Sequence, residues 1–184
     1  MTETMTIRSE TAESYISDEM RAAIGSTLAT AVSFPISESD IRRWALAVYY
    51  PDTPPARFLY PEAAAKSRYG GIVAPEDFNP FAWLAAERET AGRADVHGND
   101  PGHIEILLGV TPPPVKFQLN GGLAVEYGVP MRPGDVISSV SKLASYRERS
   151  GGRFGLMLFT VLEDTWTNQS GEFVKRTEST VIRY

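Results

Sequence analysis

The 184-residue chain contains no cysteine. Disulfides and thiolate metal sites are therefore excluded. Histidine is nearly as scarce: His97 and His103 are the only two. A zinc centre built on histidine needs more ligands than that, and no His-x-x-x-His spacing occurs. No metal is expected. An excess of positive charge is missing too, because 18 basic residues face 23 acidic ones and leave a net charge of -5. A negative field attracts neither nucleic acid nor an anionic membrane, so neither is an expected partner. Nor does any apolar run reach the ~20 residues that span a bilayer. Residues 1–13 are polar, rich in Thr and Glu, and lack the basic start and apolar run of a signal peptide. The expectation is a cytoplasmic chain with a frayed start at 1–14 and one domain over 15–184.

What the sequence does contain is two periodicities. The first half reads as helical. A short helix over 15–31 is expected to lead into a strand near 31–34. Ser37 is placed to cap a second helix, with Asp40 three residues on. Ile41, Trp44, Ala45 and Val48 then fall on one helical face. Pro51 should stop this helix at Tyr50. The run Pro51–Asp52–Thr53–Pro54–Pro55 cannot be regular structure, since proline removes donors and fixes the backbone. A shorter helix is expected over 62–68, ended by Gly70–Gly71. Pro75–Glu76–Asp77 resembles a first helical turn. Asn79 and Pro80 restart the pattern as cap and first residue, and Phe81, Leu84, Ala85 and Arg88 continue it. This helix is the candidate for the buried centre.

Residues 90–114 form a long Gly/Pro-rich stretch in which only 104–108 has the makings of a strand or helical turn. Beyond it the period changes. Strands are expected over 117–127, 136–149, 154–168 and 173–184. The turns between them are Pro130–Met131–Arg132–Pro133–Gly134–Asp135, Ser150–Gly151–Gly152 and Gln169–Ser170–Gly171–Glu172. Long runs joined by glycine turns predict an antiparallel meander, curved or bulged because the strands exceed the usual ~5–6 residues. The fold class expected is α+β.

The order of these segments carries a resemblance. An amphipathic helix precedes an Asp-Pro loop and a second helix. Gly71–Ile72–Val73–Ala74–Pro75 follows, then Leu119–Asn120–Gly121–Gly122, the Pro-x-x-Pro-Gly-Asp turn and the strands. This resembles the N-terminal MaoC-like dehydratase family, over residues 31–184. The resemblance implies a hot-dog fold, a curved antiparallel sheet wrapped around a central helix. It also implies water addition to a trans-2-enoyl thioester, or its reversal, on coenzyme A or acyl carrier protein, with no further cofactor. In that family an Asp and a His position one water and move its proton. Backbone N–H groups at the central helix bind the thioester carbonyl.

The segment matching the family's Asp-x-Asn-Pro-x-His is Asp52–Thr53–Pro54–Pro55–Ala56–Arg57. Asp52 matches the acid, while Pro54 and Arg57 replace the asparagine and the histidine. Arginine cannot serve as a base near neutral pH. Pro75 stands where a glycine often opens the central helix, and proline has no N–H to offer. Asn120 stands where many members carry histidine. Asp52 is thus the one catalytic candidate, and Arg57, Val73, Ala74, Asn120 and Gly121 are the substrate-binding candidates. Asp52 is equally a common turn residue before prolines, and Arg57 reads equally as a solvated loop arginine.

These departures imply the tunnel subunit of an (R)-specific enoyl-CoA or enoyl-ACP hydratase, or 3-hydroxyacyl-thioester dehydratase. A catalytic MaoC-type hot-dog partner would then supply the dyad in a hetero-oligomer. Two alternatives stay open: an active homodimer using Asp52 with His97 or His103, and a non-enzymatic acyl-thioester binding protein.

Overall fold

The computed structural model describes residues 14–82 and 99–184. Its main feature is a five-stranded antiparallel sheet in the order β1-β3-β4-β5-β2. The strands are β1 (Thr27–Val32), β2 (Gln118–Tyr127), β3 (Ser138–Ser150), β4 (Leu156–Thr167) and β5 (Phe173–Arg183). Two of the expected glycine turns join β3, β4 and β5 into a meander. The expectation fails at β2. This strand does not pair with β3, which follows it in sequence, but crosses to the far edge and pairs with β5. Turn residues between 127 and 138 show only that the chain reverses there; they do not choose the partner strand. The first strand also starts earlier than expected, at Thr27.

Each strand pairing contains a register shift, which bends and twists long strands locally. In β2 the shift lies at Gly121, where a side chain is excluded. A Cβ there would sit 2.6 Å from Ile182 Cγ1 on β5.

The helices are α1 (Asp18–Ala22), α2 (Glu38–Tyr49), α3 (Pro61–Ala65) and α4 (His103–Leu108). In α2 the capping box forms as the sequence requires: the Ser37 Oγ accepts from Asp40 N and the Asp40 carboxylate accepts from Ser37 N. The helix ends at Tyr50, before a cis peptide to Pro51. Its apolar face is narrower than the spacing implied. Ile41 and Ala45 are buried, but Val48 is exposed. The expected helix at 62–68 is cut to α3. Asn79 caps the next segment, its Oδ1 accepting from Phe81 N. The expected central helix beyond Ala82 lies outside the described residues, as do the N-terminal residues 1–13.

One face of the sheet carries two apolar clusters. At one end Ile137, Trp166 and Val174 pack with Ile36, Ile41, Phe78, Phe81 and Met131. At the other Leu143, Tyr146 and Leu158 pack with Met20 of α1 and Ile104 of α4. Each fully buried aliphatic side chain contributes roughly 1.5–3 kcal/mol.

An ion pair completes the second cluster. Arg183 and Glu105 are both fully buried, with Arg183 Nη1 2.6 Å from Glu105 Oε2. Arg183 also donates to Thr160 Oγ1 and the Pro101 carbonyl, while Tyr146 Oη donates to Glu105 Oε1 at 2.6 Å. Burial, and then that hydrogen bond, raise the Tyr146 hydroxyl well above its ordinary pKa.

Candidate functional site

A cavity of about 600 Å³ opens where the end of α2, Arg57–Phe58, the Val73–Ala74–Pro75 segment and the β2–β3 turn meet the start of β5. The two motifs that carried the sequence resemblance touch here. Ala74 N donates to the Met131 carbonyl at 2.9 Å, and Arg132 Nη2 donates to the Tyr69 carbonyl at 2.9 Å. Gly134, at φ +90°, allows the sharp turn that brings Met131 back. Inside that turn the Asp135 carboxylate accepts from Arg132 N.

Of the substrate-binding candidates, Arg57, Val73 and Ala74 line this cavity. Val73 and Ala74 are buried, whereas Arg57 is exposed with its guanidinium 4.5 Å from the Phe58 ring centroid. Arg57 forms no ion pair with Asp52. Asp52 is exposed, lines neither cavity and holds its turn by donating its N–H to the Tyr49 carbonyl. Asn120 lines a second cavity, of about 640 Å³, together with His103. Gly121 lies at the β2 bulge. Asp52 and His103 are therefore not brought together, and His97 lies outside the described residues. Glu105, two residues after His103, is committed to Arg183. Among the described residues no acid and histidine cluster can hold a metal ion.

Three cavity residues escaped the sequence reading: Arg68, Tyr127 and Lys175. Arg68 lies over the Tyr69 ring and donates to its hydroxyl. Lys175 stands at the edge of a bulge. Trp166 pairs with Lys175 but Thr167 pairs with Phe173, so Val174 is the extra residue. Val174 drops into the core, and Lys175 lies beside Trp166. The Lys175 ammonium stands 4.6 Å from the Trp166 ring centroid and 5.7 Å from that of Tyr127. Trp166 is fixed in turn by its Nε1 donating to Asp164 Oδ2 and by edge contact with Phe81. Burial lowers the pKa of Lys175, against the fields of Asp77 and Asp164. No linear motif marks such a lysine, because Trp166 and Tyr127 meet it only once β4, β5 and β2 are paired.

The cavity thus offers cations, aromatic faces and aliphatic walls, with Glu76 and Asp77 at its rim. Among the described residues no histidine lines it. Such a lining suits a partly apolar, partly anionic molecule, and its described carboxylates are Glu76 and Asp77.

Residues 22–177 match the family described as FAS1-like, dehydratase domain region. The chain belongs to this family. No curated protein matches the sequence. Among solved structures, the ChsH1-ChsH2 complex from Mycobacterium tuberculosis is similar at 16% identity and a TM-score of 0.58, over 86% of this chain and 84% of that one. A MaoC-like dehydratase is similar at 22% identity and a TM-score of 0.55, over 89% of this chain but 42% of its own. The R-hydratase PhaJ1 from Pseudomonas aeruginosa is similar at 16% and 0.50, over 87% and 81%. The fold is accordingly the MaoC-like hot-dog fold, as the resemblance implied. No helix among the described residues is long and apolar enough to cross a membrane.

Proposed function

We propose that this FAS1-like dehydratase-family chain is the substrate-holding subunit of a heteromeric (R)-specific enoyl-thioester hydratase or 3-hydroxyacyl-thioester dehydratase. A partner hot-dog subunit supplies the Asp/His pair. The acyl group travels on coenzyme A or acyl carrier protein, and no other cofactor takes part.

The observation that carries this reading is Arg57. It stands on the cavity wall at the position where the family's pattern has histidine. A guanidinium stays charged at neutral pH and cannot take a proton from water. Two further features support it. Pro75 lines the same cavity and has no N–H for a developing oxyanion. And β2 is a ten-residue edge strand, exposed along nearly its whole length, with Leu119, Leu123 and Tyr127 open to solvent. A free edge of that length invites another strand, and a partner sheet docked there removes it. The similarity to the ChsH1-ChsH2 complex accords with a two-chain assembly.

The test is reconstitution. The chain is purified alone and after co-expression with MaoC-type chains encoded beside it, and each preparation is assayed for hydration of crotonyl-CoA and longer enoyl-CoA. We expect activity only in the complex, lost when the partner's Asp or His is replaced and kept in an Asp52→Asn variant of this chain. Full activity of the isolated chain refutes the reading.

A further inference from the structure

Resting on that reading of the cavity as a thioester-holding site, we propose that Lys175 is an anion anchor for the acyl group, so that the preferred ligand carries a carboxylate on its acyl chain.

The first support is position. Lys175 stands opposite Trp166 in the regular β4–β5 register, and its side chain lines the cavity wall. The extra residue beside it, Val174, is buried in the core. The second is the environment. Lys175 is half-buried and braced by the Trp166 and Tyr127 rings; its ammonium feels the fields of Asp77 and Asp164 but forms no side-chain hydrogen bond or close ion pair among the described residues. Ring faces attract the ammonium but accept no conventional hydrogen bond, so its donors still face the cavity. A purely hydrocarbon acyl chain laid over it strips the remaining water and returns no acceptor, which is unfavourable. A carboxylate accepts a charge-assisted hydrogen bond and removes that cost. The lowered pKa shows that burial already strains the charged form.

A phosphate of the carrier arm is the rival anion. Arg57 and Arg68 are the better match for it. Both are exposed, and phosphate is strongly hydrated and suits the fork of arginine. Lys175 lies further in, against Trp166 and the core. That separation assigns the carrier to the arginines and the acyl chain to the lysine.

Direct binding to the full chain tests this by calorimetry, with succinyl- to suberyl-CoA set against butyryl- to octanoyl-CoA of matched length, and with free coenzyme A. We expect the best carboxylated thioester to bind about tenfold tighter than its alkyl counterpart, the value of one charged hydrogen bond. Lys175→Met should abolish that preference while leaving alkyl thioesters as tight or tighter, and Lys175→Arg should keep most of it. If wild type binds both series equally, the anchor is wrong while the thioester cavity stands. If Lys175→Met weakens free coenzyme A as much as the carboxylated thioesters, the lysine serves the phosphate arm and the proposal falls. If no thioester binds at all, both readings fall. Matching melting curves of the Met and Arg variants separate a binding effect from misfolding.

Discussion

Arg183 and Lys175 project from the same face of β5, eight positions apart with no register break between them, yet their surroundings differ completely. Arg183 is sealed. Its guanidinium meets both oxygens of Glu105, the Thr160 hydroxyl and the Pro101 carbonyl. Lys175 has two ring faces and an open cavity. A buried cation is tolerated when it is paired and most of its donors are matched; both Arg183 Nη atoms are, and Nε is left without a partner, so the first is a structural fastener between the sheet and α4. The second is a cation at the other end of the strand, where the motifs of the family converge, with Asp77 and Asp164 near it but no side-chain hydrogen bond among the described residues. The strand thus carries a fastener at one end and a binding group at the other.

Substitutions can break this contrast, beginning with the most severe. Glu105→Ala strands Arg183 without its counter-charge in the core, and a loss of about 3–5 kcal/mol is expected in urea unfolding. Replacing both partners by methionine should cost far less than either single change, because no unpaired charge remains. Milder effects come from single hydrogen bonds. Ser37→Ala removes the α2 cap and should cost about 1 kcal/mol. Tyr146→Phe should cost about the same, by loss of one buried hydrogen bond to Glu105.

Tyr146→Phe also has a pH signature. The folded state holds the Tyr146 proton more tightly than the unfolded chain does, so its contribution is complete below the unfolded tyrosine pKa of about 10 and is lost as pH rises beyond it. Wild type should therefore lose stability more steeply than Tyr146→Phe above that pH in thermal melts. Lys175→Met should change stability least, within about 0.5 kcal/mol, since it removes no described hydrogen bond. A large loss there would make Lys175 another fastener and erase the contrast.

Much of this architecture was legible before any coordinates. The Ser37–Asp40 box, the stop before Pro51 and the strands of the second half follow from caps, proline sterics and glycine turns, all of which act locally. Arg57, Val73 and Ala74 were legible as cavity residues through the family pattern. Three features were not. The crossing of β2 to the far edge is a matter of long-range strand pairing with β5, and no turn encodes that. Glu105 reads as a polar residue of a short helix, and its burial follows only from Arg183 reaching it across 78 positions. Lys175 keeps the ordinary alternation of β5, and its setting between Trp166, Tyr127 and the cavity likewise arises only from pairing. Asn120 and His103 show the converse limit. They share the second cavity, and neither lines the one that holds Arg57.

The most direct test of the substrate-holding reading is to incubate the isolated chain with a saturating trans-2-enoyl-CoA and follow binding and hydration in the same sample. We expect the thioester to be bound and recovered unhydrated, with 3-hydroxyacyl product forming only when a dyad-bearing partner is added. Hydration by the chain alone, at a rate the partner does not raise, would contradict it.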